Sequence, residues 1–328
     1  MDDDRDSLPA HYNDGNRAFL QALLARGTMT FKESQPILAA IFTAQDGAAS
    51  GRRTEPSEVT QADFESYVSA ASSALSAFDL EVRSARHQTT GTRVYAVVNT
   101  TSDALTQLAT LHNAEEIAFV KRVIDAMFEK YNTPRMEVMC LDEMQANKLR
   151  GAPRPSDAQH LPPADEDTVM QEEHALRGLK SSEAEAVMRS MVAEGWFERS
   201  REGGLYGLSA RALLELRAWL VHSYNDPDAE DGEWQRVKFC EACREIVTVG
   251  QRCADRDCGA RLHDICLDAF WRTRGGKREC PRCARAWDGR HFVGERAVTE
   301  TEAYRRGRRR SGKGGRSSNL VEEIMNEK

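Results

Sequence analysis

The sequence predicts a mainly α chain with small β-hairpins (α+β), arranged as two successive helical units, a metal-stapled segment and a basic tail. Three observations carry this. Helical apolar periodicity followed by alternating, β-branched stretches occurs twice along residues 16–224. Seven of the eight cysteines fall, with one histidine, between residues 240 and 283. The charge is two-ended: residues 1–239 carry 25 Lys+Arg against 38 Asp+Glu, net −13, and residues 240–328 carry 20 against 14, net +6. A basic end suits phosphate, and an acidic end suits protein or solvent.

With 328 residues at 40% apolar, one large core or two to three small ones can be buried, and the element order favours several small domains. No apolar run reaches the roughly 18 residues that a membrane span needs, so no membrane partner is expected. MDDDRDSLPA is acidic where a signal peptide is basic and then apolar, so the chain reads as soluble and intracellular. In that compartment thiols stay reduced, and clustered cysteines point to metal rather than disulfides.

An acidic leader (1–15) precedes the first unit, residues 16–103. Phe19, Leu20, Leu23 and Leu24 recur at helical spacing and stop at Gly27, a C-terminal cap residue. A second helix carries Ile37, Leu38, Ile41 and Phe42, and QDGAASGRRTEPSE reads as a mobile loop. Thr60 caps a third helix with Phe64, Tyr67, Val68, Ala71, Leu75 and Phe78 on its core face. LEVRSA and RVYAVVN, joined by RHQTTGT, form a hairpin. Three helices closed by a hairpin is the order of a winged helix.

The second unit, residues 112–224, repeats that order. Asn113-x-x-Glu116 forms a capping box ahead of Ile117, Val120, Ile124, Met127, Phe128 and Tyr131. A middle helix spans VMCLDEMQANKL and contains Cys140, read as a buried core thiol. Ser182-x-x-Glu185 caps a helix carrying Val187, Met188, Met191 and Val192, and WFERS, REGG and LYGLS give strand, turn and strand. Ser209 opens one more helix, with Leu213, Leu216, Trp219 and Leu220 packing back. The Pro-rich, acidic stretch at about 150–168 is a flexible insertion, and residues 225–236 form an acidic linker.

Residues 237–291 hold the spacing C-x2-C-x9-C-x4-C-x4-H-x2-C-x13-C-x2-C. Two tetrahedral zinc ions need eight such donors, and eight are present: Cys240, Cys243, Cys253, Cys258, His263, Cys266, Cys280 and Cys283. Counting does not settle their pairing. Interleaved sharing is the usual answer in so short a segment, giving one ion to Cys240, Cys243, His263 and Cys266 and the other to Cys253, Cys258, Cys280 and Cys283. Closed sites of this kind stabilise a fold and leave no position for a hydrolytic water.

These residues resemble the C4HC3 finger of the non-SMC element one family, the RING-like subunit of the structural-maintenance-of-chromosomes five/six complex. CEAC, CADRDC, LHDIC and CPRC carry the resemblance, and the two preceding winged-helix-like units match its layout. The resemblance implies a RING-type ubiquitin ligase subunit, nuclear and chromosome-associated, acting in DNA repair and chromosome maintenance. It implies a MAGE-like winged-helix subunit and a kleisin subunit as partners. A ubiquitin-conjugating enzyme would be positioned without any catalytic nucleophile.

The first ligand pair encloses Glu241 and Ala242 where standard RING fingers place a large aliphatic residue, and Ala284 precedes Arg285 after the last ligand. Ile246, Trp271 and Pro281 are the substitute conjugating-enzyme surface, with activity dependent on the MAGE-like partner. Two other readings stand beside this one. A PHD-like histone-tail reader fits the ligand spacing but has Arg278 where such readers carry tryptophan, and an assembly subunit would use its finger only to stabilise an interface.

The third helices of the winged-helix-like units are poor in Lys and Arg, which favours protein docking over base reading. The tail (300–328) contains Arg305, Arg306, Arg308, Arg309, Arg310, Lys313 and Arg316 and is expected to be disordered, serving non-specific DNA contact or nuclear import.

Overall fold

The computed structural model describes residues 12–50, 53–101, 111–151, 178–200, 204–230 and 232–305. The chain divides into two units: residues 1–103 with 210–216, and residues 104–209 with 217–328.

In the first unit, α1 (Asp14–Arg26) starts with a reciprocal cap between Asn13 and Asn16 and ends at Gly27, whose φ of 71° suits glycine. β1 (Thr28–Thr30) follows at once, a strand too short to leave a periodic signature. α2 (Phe31–Ser50) runs well into the stretch expected to be a mobile loop, and residues Pro56–Glu58 form a 3-10 turn. Gly47 costs roughly 1 kcal/mol relative to alanine, too little to end a helix anchored by buried Leu38 and Ile41.

Thr60 and Asp63 cap α3 (Gln61–Leu75) as expected. Phe78 does not continue its buried stripe. The helix ends at Leu75, a 3-10 turn and a left-handed Asp79 follow, and Phe78 is 71% exposed. Phe19, Leu23, Met29, Leu38, Phe64 and Tyr95 form the core, with edge-on contacts of 6.0 Å for Phe19–Phe64 and 4.9 Å for Phe64–Tyr95.

β2 (Leu80–Arg86) and β3 (Arg93–Asn99) pair antiparallel from Leu80↔Asn99 to Arg86↔Arg93. The sheet order β1-β3-β2 and the succession helix, strand, helix, helix, strand, strand are those of a winged helix. The short helix Ala210–Glu215 completes this unit, with Leu214 joining Ala96 and Val98.

The second unit opens with α4 (Ala114–Asp125), capped by Asn113 and Glu116 at 3.1 and 2.9 Å and continued by a π turn over Ala126–Lys130. The expected middle helix is shorter: α5 (Glu143–Lys148) is capped by Asp142. Val138–Leu141 is not helical: Met139 is left-handed at φ 46°, and Leu141 exchanges backbone hydrogen bonds of 3.0 and 2.7 Å with Tyr206. Cys140 thus lies in an irregular segment just before the Leu141 bridge, buried as expected.

α6 (Ser181–Ala193) begins two residues earlier than the Ser182 cap predicts, the Lys180 N–H donating to Glu183 at 2.8 Å. β4 (Phe197–Arg199) and β5 (Tyr206–Leu208) form the anticipated hairpin. With the Leu141 bridge in the place of a first strand, the winged-helix order recurs. The single helix expected from Ser209 is two: Ala210–Glu215 and α7 (Arg217–Tyr224). Tyr224 stacks on Phe128 at 5.0 Å and donates to Asp125 at 2.7 Å, so α7 is held by the second unit.

The proposed insertion lies almost entirely outside the described residues, as do most of the acidic leader and residues 306–328. The stretch expected as an acidic linker is a closed loop: Asn225 and Val237 hold its ends with bonds of 2.9 and 2.7 Å. Among the described residues, no helix is long and apolar enough to cross a membrane.

The two aromatic fates in α3 can be compared directly. Phe64→Ala is expected to destabilise the chain by about 3–5 kcal/mol and Phe78→Ala to stay within about 0.5 kcal/mol of the parent, as read by urea unfolding.

Candidate metal centre

Two tight turns of the same design frame the cysteine-rich segment. In Cys240–Cys243 the Arg244 N–H returns to the Cys240 carbonyl at 2.9 Å, and the Cys240 N–H donates to Glu245 at 2.8 Å. Cys280–Cys283 repeats this with Ala284 to Cys280 at 3.0 Å and Cys280 to Arg285 at 2.7 Å. Arg244 and Ala284, both left-handed at φ 63° and 60°, close the turns, and the two sulfurs of each pair belong to one cluster. Arg282 of the second turn reaches Glu241 of the first at 2.6 Å.

Between the turns, β6 (Gly250–Arg252) pairs antiparallel with β7 (Arg261–Leu262) and with β8 (Phe292–Val293). A Cβ at Gly250 would meet the Leu262 carbonyl oxygen at 2.3 Å, so this crossing requires glycine. β6 delivers Cys253 and β7 delivers His263, while α8 (Leu267–Thr273) leaves directly from Cys266. β8, α9 (Arg296–Thr299) and a final helical turn through Arg305 carry the folded part past residue 291 and into the segment expected as tail.

The eight donors form two groups, Cys240/Cys243/His263/Cys266 and Cys253/Cys258/Cys280/Cys283, with the ligating atoms of each within 4.8 Å of one another. This is the interleaved pairing. In the first group His263 Nδ1 lies 3.3 Å from Cys243 Sγ and 3.9 Å from Cys266 Sγ. Its Nε2–H donates to the Ile246 carbonyl at 3.1 Å, which turns the lone pair of Nδ1 toward the sulfurs.

In the second group Cys253–Cys283 and Cys258–Cys280 sulfurs stand 3.4 and 3.5 Å apart, and all are free thiols. Zinc–sulfur bonds of about 2.3 Å put tetrahedral neighbours about 3.7 Å apart, so both donor sets fit zinc. Each group can therefore bind one zinc ion. Bound there, zinc would supply fold-stabilising, four-fold ligation, with no position left for a reactive water.

A buried carboxylate ties this metal segment to the winged-helix part of the same unit. Glu137 is 2% exposed; its Oε2 accepts from Arg261 Nε at 2.7 Å, and its Oε1 from Lys238 Nζ at 3.2 Å and from Arg261 Nη2. Arg252 stands 3.6 Å away and donates to the Pro134 carbonyl at 3.0 Å. The Gly294 N–H donates to the Glu137 carbonyl at 2.7 Å, and Asn132 to Arg236 at 2.8 Å.

Burial alone pushes the Glu137 carboxyl up, but the Arg261 hydrogen bonds and the charges of Arg261, Lys238 and Arg252 outweigh it and bring it down to about 2. Lys238 is brought down to about 8, first by burial and then by the guanidinium of Arg261, against the opposing pull of Glu137. Three cations thus surround one anion. Four thiolates on a divalent zinc carry a formal charge of about −2 and three about −1, which suits the surplus of positive charge beside them.

Sequence reasoning missed Glu137, Lys238, Arg252 and Arg261, because isolated charges in mixed surroundings carry no periodic or spacing signal. Of the substitute surface residues, Ile246 and Trp271 are buried at 2% and 5%, interior to the finger, and Pro281 alone keeps solvent access. Trp271 packs on Trp287 at 5.7 Å. Arg278 is exposed. Burial pushes the Cys140 thiol up, away from reactive or ligating use. Arg305 pairs with Glu300; Arg306, Arg308, Arg309, Arg310, Lys313 and Arg316 lie outside the described residues.

Comparison with known proteins places both parts. The family model described as "Nse1 non-SMC component of SMC5-6 complex" matches residues 16–216, and a "RING-like domain" model matches residues 240–283. "Non-structural maintenance of chromosomes element 1 homolog" of Homo sapiens is 22% identical over 278 residues, 84% of each chain. "Non-structural maintenance of chromosomes element 1" of Schizosaccharomyces pombe is 22% identical over 237 residues, 71% of this chain and 81% of the relative. A solved chain from the "Nse1-Nse3-Nse4 complex" shares the fold with a TM-score of 0.62 at 18% identity, covering 85% of this chain and 99% of the other.

Glu137→Gln leaves three buried cations without their anion and is expected to destabilise the zinc-loaded chain by about 3–5 kcal/mol. A carboxyl lowered from 4.5 to about 2 contributes fully above its unfolded value and loses that contribution as pH falls from 4.5 toward 2. Denaturant titrations of parent and variant should therefore show a stability gap at pH 5 that narrows as pH falls below about 4.5.

Proposed function

The chain belongs to the Nse1 family of non-SMC components of the SMC5-6 complex, and from that premise we propose that it is the ubiquitin ligase subunit of such a complex. The observation that carries this reading is the pair of interleaved, four-donor clusters under a RING-like match, a rigid platform with no reacting side chain. Such a platform accelerates transfer by orienting a conjugating enzyme's thioester toward a substrate lysine, an effect of proximity and geometry. The exposed face for that enzyme is drawn from Ala242, Pro281 and the residues beside them, because Ile246 and Trp271 are interior.

The structural relative's title sets it with Nse3 and Nse4, and we assign corresponding partners here: a MAGE-like winged-helix subunit and a kleisin. The two winged-helix-like units are the docking scaffold for them, and nuclear, chromosome-associated action in DNA repair goes with that assembly. A second reading is favoured by the Glu137 network, which builds the finger into the scaffold: the finger acts by holding an assembly surface in shape. A PHD-like histone reader has less support, since exposed Arg278 stands where a tryptophan would be needed.

Discharge of a ubiquitin-charged conjugating enzyme onto free lysine separates these readings. The zinc-loaded chain with its winged-helix partner is expected to accelerate discharge at least tenfold, and Pro281→Ala with Ala242→Asp to abolish the gain while zinc content and partner binding persist. Discharge equal to that of the conjugating enzyme alone, with the complex intact, would leave only the assembly role.

A further inference from the structure

Between Cys266 and Cys280, the exposed residues 272–279 read RTRGGKRE, four cations against one acid. Among the described residues, Arg272, Arg274, Lys277 and Arg278 have no carboxylate partner. Their neighbours do: Arg282 is held by Glu241 at 2.6 Å, Arg285 by Asp255 at 3.4 Å and Arg296 by Asp264 at 2.9 Å. Arg272 donates only to the Asp268 carbonyl, and Arg274 lies over the Phe270 ring at 5.5 Å.

The segment is fixed in place despite its exposure. The Arg274 and Gly276 N–H groups both donate to the Trp271 carbonyl, at 3.1 and 2.9 Å, and the Trp287 N–H donates to the Arg278 carbonyl at 2.8 Å. Trp271 and Trp287 are themselves buried and in ring contact, so both ends of the segment rest on one aromatic base. At its tip Gly275 and Gly276 have φ of 66° and 79°, and a Cβ on either would meet nothing within 4 Å. An approaching polymer therefore finds open space between the cations.

We propose that residues 272–278 form a preorganised contact for the phosphodiester backbone of duplex DNA, separate from the C-terminal tail. Three arginines and a lysine supply forked and point-charge donors suited to phosphate oxygens. A protein partner is the weaker fit, because interface energy concentrates in apolar and aromatic anchors and residues 272–279 expose none. The contact reads no base sequence and does not depend on ligase activity.

The test is fluorescence anisotropy of a labelled random-sequence duplex with the full-length, zinc-loaded chain across a potassium chloride series. Each phosphate neutralised contributes about 0.9 to the slope of log affinity against log salt. Arg272→Gln, Arg274→Gln, Lys277→Gln and Arg278→Gln together should lower the slope by about 3.6 and the affinity at low salt by about tenfold or more, with both zinc ions retained. A tail variant with Arg308, Arg309 and Arg310 changed to Gln should lose its own increment independently.

An unchanged slope in the four-fold variant overturns the proposal. So does displacement of DNA by polyglutamate of equal charge, or loss of ubiquitin discharge with DNA binding intact, since either makes an acidic protein the occupant. Should the four-fold variant lose zinc, Lys277→Gln with Arg278→Gln is read instead, with an expected fall in slope of about 2.

Discussion

Eight donor side chains alternating along some forty residues between two metal positions are the constraint on which this molecule rests. Cys240 and Cys243 share an ion position with His263 and Cys266, so the loop containing Cys253 and Cys258 must thread between them to meet Cys280 and Cys283. Neither cluster can form in isolation without placing half of the other. The apolar material here is small, chiefly Ile246, Val247, Leu262, Trp271, Trp287, Val293 and Val298. A core of that size needs the metal ligation as its main folding energy.

Glu137 passes that constraint on to the rest of its unit. It sits in the short segment after the π turn of α4, yet its bonding partners come from β6, β7 and the residues just before Cys240. A buried ion network of this kind is weak evidence for stability but a strong device for fixing register, since any shift strands a charge in the interior. The finger is consequently built into the second winged-helix-like part and does not swing on a linker. The surface of the finger is thereby held at a fixed orientation to that part.

How much of this was legible in the sequence depended on how local the cause was. The caps at Thr60 and at Asn113 with Glu116, the stop at Gly27 and the ligand pairs are all set by residues a few positions apart, and they stand where they were expected. Val138–Leu141 misled because a continuous apolar run is equally a buried strand or a buried helix face, and only Tyr206, far along the chain, decides it. The split at Leu216 has a similar origin: Leu214 and Leu220 are both apolar, but they belong to different units. Glu137 was invisible because its meaning lies in Arg261, 124 residues away.

The same distinction governs the candidate site. Ligand identity was written in spacing, whereas surface was not: Ile246 and Trp271 became core, and Trp271 instead supports an exposed basic segment. The interlocked pair of metal positions is tested most directly by native mass spectrometry of the reduced full-length chain purified with zinc. The account predicts a single dominant species at the mass of the polypeptide plus two zinc ions, with both ions lost together as chelator is added. A species carrying one ion or none, or a mass lowered by disulfide formation among these cysteines, would contradict it.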